Sequence, residues 1–569
     1  MVIGIWRHLP ARRKMHIFLL LFLMLAASAA ELVSIGMVVP FLGVLTEPSV
    51  VFDNRVLSPY LMYFGLNKAD DLLFPVTMLF GFFAIFAGLI RVFLTAVLTK
   101  TGYLVGAEFG VEIFTKQLNQ PYEKHLVQNT SEVIAGITQK TSALVQQGLI
   151  AILTLISSSL LLVSIVVVLL LINFKVALTA FGVFGFIYGS LVIFTRPVLE
   201  EKGRLVTRMQ SQVIRNIQEG LGAIRDIILD GSQAHYIDSY SKSEFALRRA
   251  QITHIVISTT PKFIVEAIGM ALIAGLAYIL ISDDNALNAI PTLGALALGS
   301  QRLLPILQQI FATLSSFRAG QAAFVDAIEM LDLPDVVENL VEDKLTLQSH
   351  LKFNNISFKY ASNDRLILDT IDLTIKAGSK VGLIGATGSG KSTFLDILMG
   401  LLSPTSGSVS VDNITVTAEN RHLWRKAVAH VPQNIFLKDA TIMENIAFGE
   451  PKEKINVRQV KVAAELAQLS STIDELGDGL ESLVGERGVR LSGGQRQRIG
   501  IARALYKGAQ VIVFDEATSA LDSATEKEVM KSISELPSGI TMVIVAHRLG
   551  TLDKCDVVYK LDKKSIMRV

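Results

Sequence analysis

The sequence predicts two fold classes in one chain, an α-helical membrane domain with six transmembrane helices followed by an α/β domain. Three observations predict this. Apolar residues make up 51% of the 569 residues and charged residues only 18%, and the apolar ones concentrate in long runs before about residue 315. From Leu351 onward, short β-rich runs such as ISFKY and VIVFDEA alternate with helical stretches such as STFLDILMG. Between a β-rich run and a helical one lies the glycine-rich stretch Gly385–Ser392, a junction expected of α/β domains that hold phosphates.

Runs able to cross about 30 Å of hydrocarbon at 1.5 Å per residue occur near residues 17–45, 72–99, 144–172, 176–195, 252–281 and 287–312. The basic N-terminus (Arg7, Arg12, Arg13, Lys14) followed by an apolar run and Ala27-Ser28-Ala29 resembles a secretory signal. The apolar character continues to Leu45, too far for a signal core, so a retained first span is expected. Asn173-Phe174-Lys175 is a short turn between spans, whereas 100–143 and 196–251 are long, polar and helical in pattern. Arg196, Lys202, Arg204 and Arg208, with the basic N-terminus, mark the cytoplasmic side, and Asp283 and Asp284 then lie outside. Segment 46–71, with Pro48, Pro59 and the amphipathic Tyr60–Phe64, reads as a small external surface helix or a solvated loop.

Three units follow: a membrane domain over 1–325, a linker over 326–350 rich in Asp, Glu and Pro, and an α/β domain over 351–569. The formal net charge of +2 gives no global reason to expect nucleic acid. A single cysteine, Cys555, excludes an internal disulfide framework and a CxxC metal site.

Gly385-Ala386-Thr387-Gly388-Ser389-Gly390-Lys391-Ser392 fits GxxxxGK[ST] after the apolar run Val381–Ile384 and before a helical run from Thr393. Glycines let backbone N–H groups wrap phosphates, Lys391 reaches the outer phosphates of ATP, and Ser392 can hold Mg²⁺. Val511–Asp515 is an apolar strand ending in a carboxylate suited to Mg²⁺, and the adjacent Glu516 can polarise an attacking water, the feature that separates a hydrolase from a nucleotide binder.

Leu491-Ser492-Gly493-Gly494-Gln495 resembles the signature motif of ATP-binding cassette proteins. The resemblance implies an α/β P-loop ATPase domain of the ATP-binding cassette type. In it ATP lies on Tyr360, Gly385, Ala386, Thr387, Gly388, Ser389, Gly390, Lys391, Ser392, Thr393 and Gln433, and on Ser492, Gly493, Gly494 and Gln495 of a partner copy. It also implies that Tyr360 stacks on adenine, that Ser392, Gln433 and Asp515 hold Mg²⁺, and that Glu516, Gln433 and His547 serve hydrolysis. Ser519-Ala520-Leu521-Asp522 resembles the loop that meets the partner, and Val484–Gly488 the element that exporters place against coupling helices. By the same resemblance one cassette plus six spans is half a transporter, so a homodimer with alternating access is implied, with coupling segments near 118–128 and 220–230. The sequence ends soon after His547, without the longer C-terminal helix usual in that family.

For cargo, Arg91, Lys262 and Arg302 are cations within or beside the spans, expensive there unless they line a watery cavity, pair with acids such as Glu31 and Glu266, or snorkel to an interface. Three cations suit a phosphorylated amphiphile. Glu31–Phe41, Gln120-Pro121-Tyr122-Glu123 and Pro261–Gly269 resemble stretches of bacterial flippases for polyprenyl-diphosphate-linked oligosaccharides. The expectation is a bacterial plasma-membrane flippase of such a lipid, with N-terminus and ATPase domain cytoplasmic. An exporter of other lipids, peptides or hydrophobic drugs is the alternative, and a nontransporting regulatory membrane ATPase a remoter one.

Overall fold

The computed structural model describes residues 2–46, 48–52, 68–172, 174–282, 286–335, 344–360, 364–517, 523–546 and 552–569. The chain divides into two compact units, Met1–Gln120 with Val127–Val336, and Pro121–Leu126 with Val337–Val569.

Among its described residues the first unit's regular structure is all helical, joined by short turns. The helices are long because they run on from the apolar spans into the polar, helix-patterned stretches without a break: Leu73–Leu118, Phe174–Gly222 and Ala286–Leu331 run 46, 49 and 46 residues. Four stretches among the described residues are long and apolar enough to cross a membrane: Ala11–Leu45, Leu73–Leu118, Thr130–Leu171 and Gly182–Gly222. The expected spans at 252–281 and 287–312 fall on Gln233–Thr259 with Pro261–Ser282, and on Ala286–Leu331. The first expected span is divided at Met37 into Ala11–Gly36 and Val38–Thr46. Pro40 explains the division, because it has no N–H for the carbonyl four residues earlier. Tyr60–Phe64, Asn173, Asp283 and Asp284 lie outside the described residues.

Helices approach one another where side chains vanish. A Cβ on Gly203 would overlap the backbone carbonyl of Ala319, and one on Gly102 would overlap Ile150, so these glycines permit backbone-close crossings. Buried Ile17, Leu20, Val105, Phe109, Leu144 and Phe324 form one apolar core, and Ile165, Phe184, Val265, Ile306 and Phe311 belong to a second. Between Thr130 and Ile172 the helix is α-helical except at Gly136–Lys140 and Leu144–Ile150, where it widens to π-helix.

The expected linker is shared out. Residues 326–331 continue the helix Ala286–Leu331, and Leu345 and Leu347 are buried in the core of the second unit. That unit holds two sheets. β1 (His350–Phe358), β2 (Leu368–Lys376), β4 (Ser406–Val411) and β5 (Ile414–Thr415) form an antiparallel sheet in the order β2-β1-β4-β5. β3 (Lys380–Ile384), β6 (Val428–Val431), β7 (Val511–Asp515), β8 (Thr541–Val545), β9 (Val557–Asp562) and β10 (Ser565–Arg568) form the other, ordered β10-β9-β3-β8-β7-β6. All its pairings are parallel except β9 with β10. β7 is buried from Val511 to Phe514 and β8 throughout, as expected of strands covered on both faces. Cys555 is half-buried ahead of β9, and burial pushes its thiol up to about 11.

Candidate functional site

In an open parallel sheet, ligands gather beyond the carboxyl ends of the strands. Here that edge carries the loop after β3, Asp515 at the end of β7, and the end of β8 between them. The loop Gly385–Gly390 leaves β3 and turns into the helix Lys391–Leu398. Gly388 and Gly390 have φ of +79° and +104°, a region that side chains oppose, so this turn requires glycine at both. The Lys391 ammonium donates to the carbonyls of Gly385 and Ala386 at 2.7 and 3.1 Å, which keeps it folded over the loop. Ser389 Oγ is buried with no hydrogen-bond partner, an open donor inside the cradle that suits a phosphate oxygen. Thr393 Oγ1 lies 3.1 Å from the hydroxyl of Tyr360, tying the aromatic after β1 to the helix that begins at Lys391.

Ser392 is exposed at that helix start and Asp515 half-buried at its strand end. The Ser392 hydroxyl, the Asp515 carboxylate and the amide oxygen of the exposed Gln433 are each oxygen donors of the kind that suits a hard divalent cation. Glu516 has φ of +50°, left-handed backbone that a non-glycine residue rarely adopts, and its N–H donates to the Val545 carbonyl at 3.2 Å. Thus β8 fixes the turn that carries the carboxylate. His547, two residues past β8, and Ser519–Asp522 lie outside the described residues.

The signature stretch is a helix start. Ser492 caps Gly493–Tyr506: its hydroxyl accepts from Gln495 N at 3.2 Å while Gln495 Oε1 accepts from Ser492 N at 2.8 Å. This reciprocal pair is a capping box, so Ser and Gln at that spacing are explained locally and leave the N–H groups of the glycines between them available. Gln497 on the same helix donates to the Gln433 carbonyl at 2.8 Å, linking the signature helix to the loop that presents Gln433.

Two matches decide the family. The ABC transporter transmembrane region matches residues 16–288 and the ABC transporter domain residues 368–519. The chain belongs to the ABC transporter family. A transmembrane domain and an ATPase domain of that family are fused in it. Relatives of this ABC transporter include the ATP-dependent lipid A-core flippase of Pseudomonas savastanoi pv. phaseolicola, 28% identical over 94% of this chain and 87% of the relative. That of Albidiferax ferrireducens is 27% identical over 84% of each. Among solved structures, a bacterial Atm1-family ABC exporter with ATP bound superposes at a TM-score of 0.75 with 23% identity, over 98% of this chain and 94% of the other. It shows that the fold is shared.

The ABC transporter also has features that its motifs did not reveal. Asp396, on the helix after the phosphate loop, is raised to about 6 by burial and by the nearby Asp515 carboxylate. The segment Pro121–Leu126 belongs to the ATPase unit, where Tyr122 packs on the same core as Tyr360. Burial, with Asp396 and Tyr360 close by, pushes the Tyr122 phenol up. The expected cargo cations fall on three helices. Arg91 is half-buried on Leu73–Leu118, Lys262 reaches Glu266 one turn on at 3.9 Å, and the side chain of Arg302 lies outside the described set.

Proposed function

We propose that this ABC transporter is an ATP-driven flippase that works as a homodimer by alternating access and moves a phosphorylated amphiphilic lipid across a bacterial plasma membrane. The observation that carries the lipid reading is the likeness to lipid A-core flippases over more than four-fifths of both chains. Arg91, Lys262 and Arg302 supply the chemistry for a phosphate or diphosphate headgroup, which also suits a polyprenyl-diphosphate-linked oligosaccharide.

In this mechanism the N–H groups of Gly385–Ser392 and Lys391 bind the phosphates, and Tyr360 stacks on adenine. Ser392, Asp515 and Gln433 would hold Mg²⁺, which supplies charge neutralisation at the phosphates. Glu516 takes a proton from the attacking water, His547 steadies the γ-phosphate, and Ser492–Gln495 of the second copy close the site. Segments near 118–128 and 220–230 carry the cassette's motion to the spans. The latter contains the short helix Ile224–Asp230, ended by Gly231 at φ +64°.

Reconstitution tests this. Wild type, Glu516→Gln, Lys262→Ala and Arg302→Ala are compared for ATP hydrolysis and for translocation of a polyprenyl-diphosphate glycan and of a lipid A-type glycolipid. Translocation lost in the cation variants with basal hydrolysis kept supports headgroup recognition. Hydrolysis with neither lipid moved removes the phosphorylated-lipid reading and leaves other lipids, peptides and hydrophobic drugs as cargo.

A further inference from the structure

The membrane unit holds a polar cavity that none of the sites above uses. It has a volume of about 340 Å³ and lies between the stretch from Asn129 to Lys140, the stretch Arg204–Arg215 of Phe174–Gly222, and residues 322–326 of Ala286–Leu331. Lys140, Arg204, Arg208 and Arg215 line it against two carboxylates, Glu132 and Asp326. On its middle helix the lining positions 204, 208, 211 and 215 recur at helical spacing, so Arg204, Arg208, Ser211 and Arg215 share one face.

The cations are not equally committed. Lys140 is buried and held by Asp326 at 2.5 Å, and Arg215 is paired with Glu219 at 2.8 Å. Among the described residues Arg204 and Arg208 make no ion pair shorter than 4.0 Å, and both are exposed, one helical turn apart. Two guanidiniums at that spacing, with Ser211 between them and the next turn, present forks to one multivalent oxyanion. Lys140 reaches the cavity from the π-helical stretch Gly136–Lys140, a local widening that shifts side chains off the α-helical register and often accompanies function.

Size and position narrow the ligand. A cavity of this volume accommodates a diphosphate with one sugar, not an acyl chain as well. At 1.5 Å per residue, Arg204 stands about 13 Å and Arg215 about 30 Å beyond Thr195, where the expected span ends. The headgroup region extends only about 5–8 Å beyond the hydrocarbon on each side, so the site lies just past it, at the aqueous edge of the membrane, and extends into water. We infer that Arg204 and Arg208, backed by Lys140 and Ser211, form a binding site for a phosphate-bearing anion, separate from both the ATP site and Arg91, Lys262 and Arg302. The anion can arrive as a lipid headgroup or as a free phosphorylated solute. The inference does not depend on the flippase reading, since the site requires only the anion.

The test uses the full chain carrying Lys391→Ala, which weakens phosphate binding at the cassette, in phosphatidylcholine nanodiscs, and every cavity variant is compared in that same background so that residual cassette binding cancels. One arm titrates inorganic diphosphate by calorimetry, and the other measures, by native mass spectrometry, phosphatidic acid retained from mixed nanodiscs. Arg204→Gln with Arg208→Gln is expected to weaken binding about tenfold or more in at least one arm, as loss of two charge-assisted contacts requires. Loss confined to the diphosphate arm identifies a free solute, and loss confined to the lipid arm a headgroup. Glu132→Gln, which removes a competing carboxylate without deleting a ligand, is expected to tighten binding about threefold, a gain that misfolding cannot produce. Binding in neither arm, or binding indifferent to all three substitutions, overturns the site.

Discussion

The guanidinium of Arg318 donates to the backbone carbonyl of Val192 at 2.6 Å, joining the helix Ala286–Leu331 to Phe174–Gly222 in the turns just before Pro197. A proline inside a helix lacks an N–H and pushes the preceding turn aside, so a charged donor from a neighbouring helix is well placed there. Arg318→Met is expected to lower stability by about 1–2 kcal/mol, the worth of a charge-assisted hydrogen bond to a partly exposed carbonyl. Thermal unfolding in detergent measures it, and an unchanged midpoint would show that the bond contributes nothing net.

Gly203 and Gly110 offer a paired test of packing. Gly203→Ala places a methyl group against the Ala319 backbone and is expected to destabilise by about 1–3 kcal/mol. Gly110 has open space where its Cβ would stand, so Gly110→Ala is expected to be neutral or to gain about 0.5 kcal/mol of helix propensity. Equal effects at both positions would contradict the close crossing.

At the catalytic edge, Glu516→Gln preserves shape and removes the base. ATP binding is expected to persist while turnover falls about a hundredfold or more. Lys391→Ala is expected to weaken nucleotide binding itself, and chelation of Mg²⁺ to stop hydrolysis in wild type. Filter binding separates these outcomes from turnover assays, and wild-type turnover in Glu516→Gln would remove the residue from its assigned role.

Asp396 gives a pH prediction. Its carboxyl is raised from 3.8 to about 6, so the folded protein holds this proton more tightly than the unfolded chain. Stability therefore falls as pH rises from about 4 to about 6 and stays reduced above that. Asp396→Asn is expected to remove this slope and to stabilise the cassette at pH 7. The gain is about 1 kcal/mol, kept small by solvent screening of a half-buried group. Melting curves across pH 4 to 8 for both proteins check the sign.

Contiguous signals were legible in the sequence because their physics is local. Gly388 and Gly390 are demanded by positive φ within the loop itself, and Ser492 with Gln495 forms a capping box within four residues. The alternation after Leu351 announced an α/β unit. What sequence could not supply was adjacency across the chain. Nothing near Asp396 signals the charge of Asp515, more than a hundred residues away. Strand order, with β8 between β3 and β7, depends on which crossovers pack best. The left-handed turn at Glu516 is bonded to Val545 in another strand, and the Arg204 cavity needs three separate helices. Gly36 and Pro40 did carry the signal for the division at Met37, hidden by an apolar run that continued through it.

Because the sole sulfhydryl, Cys555, is held protonated at neutral pH, it will react slowly with maleimides, which require the thiolate. A second cysteine introduced at the exposed Val111 or Ile237, both outside the proposed coupling segments, can then carry a fluorophore or spin label without first mutating the native thiol. Distances between labels on two copies, followed as nucleotide is added and consumed, would time the conformational cycle against each round of hydrolysis.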